Sequence, residues 1–212
     1  MPSEVNLNRG LFNLSGFEKQ KTYSSAVNPA PYSDTFDFDA GKSQRDPTDQ
    51  ALLDEIYDKY GLINYAICNA GIRSRISMLK SELALYRSVI ETNTISNINI
   101  AKKIIKKSLE SKEKSNILFI SSIVGSRGFD ELTSYAVSKS ALEGFMKSVS
   151  VEYAKKGIQI NCLAPGFIES SYFEDFKKNR KDLYDWTLSQ TPMGRWGRCD
   201  EIADLALFLI SE

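Results

Sequence analysis

Tyr135 and Lys139 are the pair in this sequence whose types and spacing can do chemistry. They stand at i and i+4 in a segment whose apolar residues Ala141, Leu142, Phe145, Val149 and Tyr153 recur at helical spacing, so they share one helix face. A phenol ionises near pH 10 and is a poor acid or base at neutrality. An ammonium beside it favours the phenolate and lowers that value. Such a tyrosine can give a proton to a carbonyl oxygen or take one from an alcohol. Ser122, thirteen residues before Tyr135, can bond the same oxygen and polarise it. The set suits hydride transfer at a C–O centre, with a nicotinamide as the hydride source. Of the ten tyrosines, Tyr135 alone has a lysine four residues on.

The elements that must position these groups alternate in type. Segments 62–68 (LINYAIC), 116–121 (NILFIS) and 158–163 (IQINCL) are apolar nearly throughout, as strands of a parallel sheet covered on both faces should be. Helical periodicity covers 84–110 and 134–156, a polar stretch at 172–188, and a last helix from near Asp200. A short strand is expected at 36–40. Asp46-Pro47 places an N-cap before a first-turn proline, and Gly61 closes the helix that follows. The pattern implies an α/β fold with a parallel sheet covered on both faces and right-handed crossovers. In such sheets ligands bind beyond the carboxyl ends of the strands. The residues there are Asn69-Ala70-Gly71, Ser121-Ser122 and Pro165-Gly166.

Composition narrows the function classes. The chain has 212 residues and no histidine, which excludes an imidazole base and the usual histidine-ligated zinc sites. Lys+Arg and Asp+Glu are both 27, without the basic excess of a nucleic-acid binder. Cys68, Cys162 and Cys199 form no CxxC pair, so neither a metal ribbon nor a disulfide framework is expected. No apolar run approaches 18 residues and no signal segment opens the chain, so no membrane span is expected. A cytoplasmic protein acting on a small molecule is the expectation.

Several stretches together resemble the short-chain dehydrogenase/reductase family. They are CNAG at 68–71, ETN at 91–93, ISSIVG at 120–125, YAVSK at 135–139, LAPGFIES at 163–170 and TPMGRWGRCDEIADLALFLISE at 191–212. The resemblance covers roughly residues 36–212. It implies an NAD(P)-dependent oxidoreductase that interconverts an alcohol and a carbonyl, with a sugar derivative or a 3-oxoacyl thioester as substrate. It implies Tyr135 as acid/base, Lys139 as the group that lowers its pKa and holds the nicotinamide ribose, and Ser122 as the group orienting the substrate oxygen. Asn93 would tie a relay water to the helix backbone. Asn69, Ala70 and Gly71 would line the adenosine side of NAD or NADP. Pro165, Gly166, Ile168 and Ser170 would sit beside the nicotinamide, and Asp39 would contact adenine. A homodimer or homotetramer through the helices at 84–110 and 134–156 is also implied.

Residues 1–35 read as a loop-like segment before an incomplete Rossmann-like domain at 36–212. Gly10 and Gly16 flank LFNLS without the glycine-rich turn with which the family opens. The first strands and that turn, and the family's last strand, are expected to be lacking, which leaves the segment at 62–68 with a bare inner edge unless residues 1–35 supply an unorthodox replacement. The alternative is therefore a catalytically impaired truncated relative that serves as a partner subunit or has no function. A flavodoxin-like binding module leaves the serine–tyrosine–lysine spacing unexplained.

Overall fold

Alternation of side chains along three strands sets the layers of the molecule. The structure, a computed structural model, describes residues 11–13 (backbone), 54, 56–59, 61–170 and 173–211. The larger sheet has the order β1-β2-β3-β4, all parallel. Its strands are β1 (Leu11–Asn13), β2 (Tyr65–Cys68), β3 (Ser115–Ile120) and β4 (Ile158–Leu163). Ala66, Cys68, Ile117, Phe119 and Ile160 point to one face. They pack there against Ile100, Ala101 and Ile104 of α2 (Ser96–Ser111) and Leu142 and Val149 of α3 (Thr133–Tyr153). The other parity, Leu118 and Leu163 with Tyr65, Ile67 and Ile120, meets Ala206 and Ile210 of α6 (Cys199–Ile210). Helices therefore cover both faces, which is why these strands read as unbroken apolar runs.

The helices stop where the sequence expects. Gly61 (φ +77°) and Gly157 (φ +79°) take the left-handed conformation that favours glycine. Two short helices, α4 (Phe173–Asn179) and α5 (Lys181–Ser189), fill the polar stretch. A two-stranded ribbon of β5 (Ile168–Glu169) and β6 (Gly197–Arg198) joins that lobe to α6. Arg195 clamps the ribbon: Nη1 and Nη2 donate to Glu201 at 2.9 and 2.6 Å. The guanidinium holds the Glu201 carboxyl down at about 2.

One open alternative is decided and one expectation is corrected. First, the edge of β2 is not bare, because Leu11–Asn13 pairs with Tyr65–Ile67. A strand of three residues is too short to show alternation, which is why it was hidden in a loop-like segment. Second, the helical region at 84–110 is not continuous. Helix α1 (Leu83–Ile90) passes into a π-turn at Glu91–Ile95 before α2 begins. The remainder of 1–35, the strand at 36–40, the helix start at Asp46-Pro47 and Asp39 lie outside the described residues.

Leu142 is fully buried between α3 and the sheet. Leu142→Ala should cost about 2–5 kcal/mol of stability, read as a lowered urea midpoint.

Candidate active site

Three turns meet at the carboxyl edge of the sheet, and helix α3 locks the middle one from beneath. Lys139 Nζ donates to the carbonyl of Ile120, the last residue of β3, at 2.6 Å. Ser140 Oγ donates to the Gly125 carbonyl at 2.6 Å. Ser121 Oγ has one proton to give, and the Glu143 carboxylate at 2.7 Å is a better acceptor than the Lys139 carbonyl at 3.4 Å. Glu143 also crowds position 125: a Cβ on Gly125 would lie 2.7 Å from its Oε1 and 3.3 Å from the Lys139 backbone, so a larger residue there would push the Glu143 side chain aside. Two residues beyond β4, the Pro165 carbonyl accepts the Ile123 amide at 3.1 Å.

That scaffold aims Ser122. Its Oγ accepts the Val124 amide at 3.2 Å and caps the turn at Ile123–Gly125. The hydroxyl proton is thereby left to donate elsewhere. Ser122 and the half-buried Tyr135 line the same cleft. The Lys139 ammonium lies 5.5 Å from the Tyr135 ring centroid. Lys139 is only 4% exposed, and burial lowers its pKa to about 8. Burial also pushes the Cys68 and Cys162 thiols up to about 12, so these two cysteines stay protonated and inert.

The π-turn accounts for Asn93. Widening one helical turn puts this side chain at full burial. Its Oδ1 accepts the Ile72 amide at 2.7 Å, and its Nδ2 donates to the Ile72 carbonyl at 2.9 Å and to Ser138 Oγ at 3.0 Å. Asn93 thus ties the turn after β2 to α3. Its own carbonyl accepts Asn97 Nδ2 at 2.7 Å. Gly71 belongs to this junction: a Cβ there would come within 3.3 Å of Asn93 Oδ1 and 3.6 Å of Lys139 Nζ. The structure therefore brings Asn93, Ser122, Tyr135, Lys139 and the Asn69-Ala70-Gly71 turn to one edge.

Pro165, Gly166, Ile168 and Ser170 line the cleft with Ser122 and Tyr135. The Ser170 hydroxyl is buried with no hydrogen-bond partner among the described residues, an unfilled donor and acceptor in the cleft lining. The cleft holds about 230 Å³. Its roof is aromatic: Phe129, Phe167 and Trp186 meet edge to face at 6.0–6.4 Å, and Trp196 stacks on Phe167 at 5.5 Å. Trp196 Nε1 donates to Thr187 Oγ1 at 2.7 Å, which fixes its plane. Sequence reasoning missed Glu143, Ser138, Ser140 and this roof. Glu143 at Lys139+4 was visible as a helix-face neighbour, but its partner Ser121 comes from another strand.

The fold and the site define the class: a doubly wound parallel α/β protein with a serine, a tyrosine and a buried lysine converging at the carboxyl edge of its strands. Comparison with known proteins carries this to a family. The family model described as Enoyl-(Acyl carrier protein) reductase matches residues 30–212. The 3-oxoacyl-[acyl-carrier-protein] reductase FabG of Chlamydia muridarum is 37% identical over 161 residues, 76% of this chain and 63% of that protein. The solved structure of ElxO with NADP bound superposes with TM-score 0.73 at 29% identity, covering 80% of this chain and 70% of that one. A gluconate 5-dehydrogenase from Burkholderia cenocepacia, in complex with NADP and tartrate, has TM-score 0.73 at 27% identity, covering 79% and 66%. The chain belongs to the short-chain dehydrogenase/reductase family. It spans 63–65% of the length of the FabG relatives from Chlamydia muridarum and Escherichia coli.

Removing the acceptor of Ser121 should loosen the turn that carries Ser122. Glu143→Ala should lose about 1–3 kcal/mol, and Glu143→Gln, which keeps an oxygen acceptor, less than half of that. Urea unfolding of the two variants tests this; equal losses would contradict the anchoring geometry.

Proposed function

We propose that this chain is an NAD(P)-dependent oxidoreductase that interconverts an alcohol and a carbonyl. The carrying observation is the convergence of Ser122, Tyr135 and buried Lys139 on one cleft. Bound NAD or NADP would supply or accept the hydride. The chain's own residues do the rest. Ser122, its oxygen already engaged as acceptor with Val124, donates its proton to the substrate oxygen. Tyr135 gives that oxygen a proton in reduction or takes one in oxidation. Lys139, charged below about pH 8, favours the phenolate. Asn93 holds the Asn69-Ala70-Gly71 turn against α3 and keeps a second lone pair on its carbonyl for a relay water.

A nicotinamide fits the residues present. The orphaned Ser170 hydroxyl would bond its carboxamide, with Pro165, Gly166 and Ile168 beside the ring and Lys139 and Tyr135 at the ribose. Asn69, Ala70 and Gly71 would line the adenosine side, with Asp39 at adenine. FabG and gluconate 5-dehydrogenase among the similar proteins support a 3-oxoacyl or sugar-derived substrate.

Exposed Ile95, Leu109, Val137 and Val151, on the π-turn, α2 and α3, support pairing of copies through 84–110 and 134–156 into a homodimer or homotetramer. No helix among the described residues is long and apolar enough to cross a membrane, and the three cysteines are free. Both support a cytoplasmic place. The impaired partner-subunit reading keeps the same residues and lacks turnover.

Turnover decides between them. With NADPH and a panel of ketones, Tyr135→Phe should lose about 10²–10⁴-fold in kcat while cofactor affinity changes little. In the wild-type chain, kcat should fall as pH rises through about 8, where Lys139 loses its charge. Unchanged turnover in Tyr135→Phe would remove the assigned role.

A further inference from the structure

The substrate cleft has a charge that the proton-transfer groups do not use. Arg73 and Arg75 line it together with Ser122, Tyr135 and the aromatic roof, and no aspartate or glutamate is among its described lining residues. Arg73 is exposed on the rim, whereas Arg75 is partly buried. The Arg75 guanidinium has five N–H donors in a rigid fork. Nη1 donates to the Asp130 carbonyl at 3.2 Å, and Nε is buried with no partner among the described residues. A buried donor left unpaired costs free energy and calls for an acceptor.

The side chain is also held in place. The Ile76 amide donates to the Glu131 carbonyl at 2.9 Å, so segments 75–76 and 130–131 are clipped together by backbone and guanidinium alike. Glu131 takes a positive φ of 60° to close this loop, a conformation that non-glycine residues adopt only when their surroundings enforce it. The Asp130 carboxylate is exposed and outside the cleft lining. Positive charge here is therefore preorganised, partly desolvated and uncompensated by a carboxylate of the lining.

We propose that Arg75 is the anion-binding group of the substrate site, so that the carbonyl substrate carries a small anionic group, a carboxylate above all. The proposal rests on the carbonyl–alcohol reading of the same cleft. A planar fork takes a carboxylate in bidentate fashion, with the aromatic roof against the carbon skeleton and Ser122 and Tyr135 at the carbonyl. Recognition at a second point fixes which carbonyl of a substrate meets the hydride.

Binding separates this from turnover. Of the chain's two tryptophans, Trp196 lines the cleft and Trp186 packs on its Phe129 and Phe167, so their fluorescence reports occupancy without any reaction. Pyruvate, acetoacetate, levulinate and 5-oxohexanoate span the separations between carbonyl and carboxylate. Each is titrated against its methyl ester and against inorganic phosphate. At least one oxo acid should bind tenfold or more tightly than its ester. Arg75→Gln should erase that preference, Arg75→Lys should restore part of it, and the ester should bind wild type and variants alike. Three results would overturn the proposal: no oxo acid preferred over its ester; a preference that survives Arg75→Gln in a variant that melts cooperatively; or loss of NADPH affinity in Arg75→Gln with oxo-acid binding unchanged, which would assign the guanidinium to cofactor phosphate. Tighter binding of phosphate than of every oxo acid, lost in Arg75→Gln, keeps the anion site and makes its ligand a phosphate. If the oxo acids bind as stated but are not reduced, the reductase reading fails and the anion site stands.

Discussion

A buried ammonium is the constraint on which the rest of this site depends. A charge with 4% exposure must be compensated by polar groups brought to it. Lys139 finds the Ile120 carbonyl at the end of β3, and the chain passes close to its Nζ at Gly71, where a Cβ would lie 3.6 Å away. Three pieces of chain distant in sequence must therefore end at one point. Burial also brings the ammonium's pKa to about 8, so the charge 5.5 Å from the Tyr135 ring is itself able to change near neutrality.

The same requirement orders the neighbouring turns. Helix α3 presents Lys139, Ser140 and Glu143 as one surface, and each grips a different point of the chain from Ile120 to Gly125. The π-turn then pulls Asn93 inward, so that the turn after β2 is held to α3 through Ser138. Positioning comes from these cross-element bonds. The small residues at 71 and 125 are what such close approaches require.

Much of the layering was legible because parallel strands covered on both faces are apolar throughout, and β4 runs over the six residues Ile158–Leu163 that the sequence pattern marks. Tyr135, Lys139 and Ser122 were legible because their spacing is a property of one helix and one strand end. The π-turn was not, since i→i+5 bonding leaves the apolar residues of 84–110 near helical register, and its cause is Asn93 bonding to Ile72 and Ser138 across the fold. Nor was the pairing of Leu11–Asn13, three residues too short to carry a period. The aromatic roof gathers residues from 129 to 196 and shows no local pattern at all.

The central claim is that this sheet edge holds a nicotinamide against Tyr135 and Lys139. Titration of the whole chain with NADPH and then NADH, followed by energy transfer from Trp186 and Trp196, tests it most directly. The account predicts saturable quenching of tryptophan with matching cofactor emission, weakened at least tenfold in a Lys139→Ala variant that still melts cooperatively. A wild-type chain that melts cooperatively and binds neither nucleotide would contradict it.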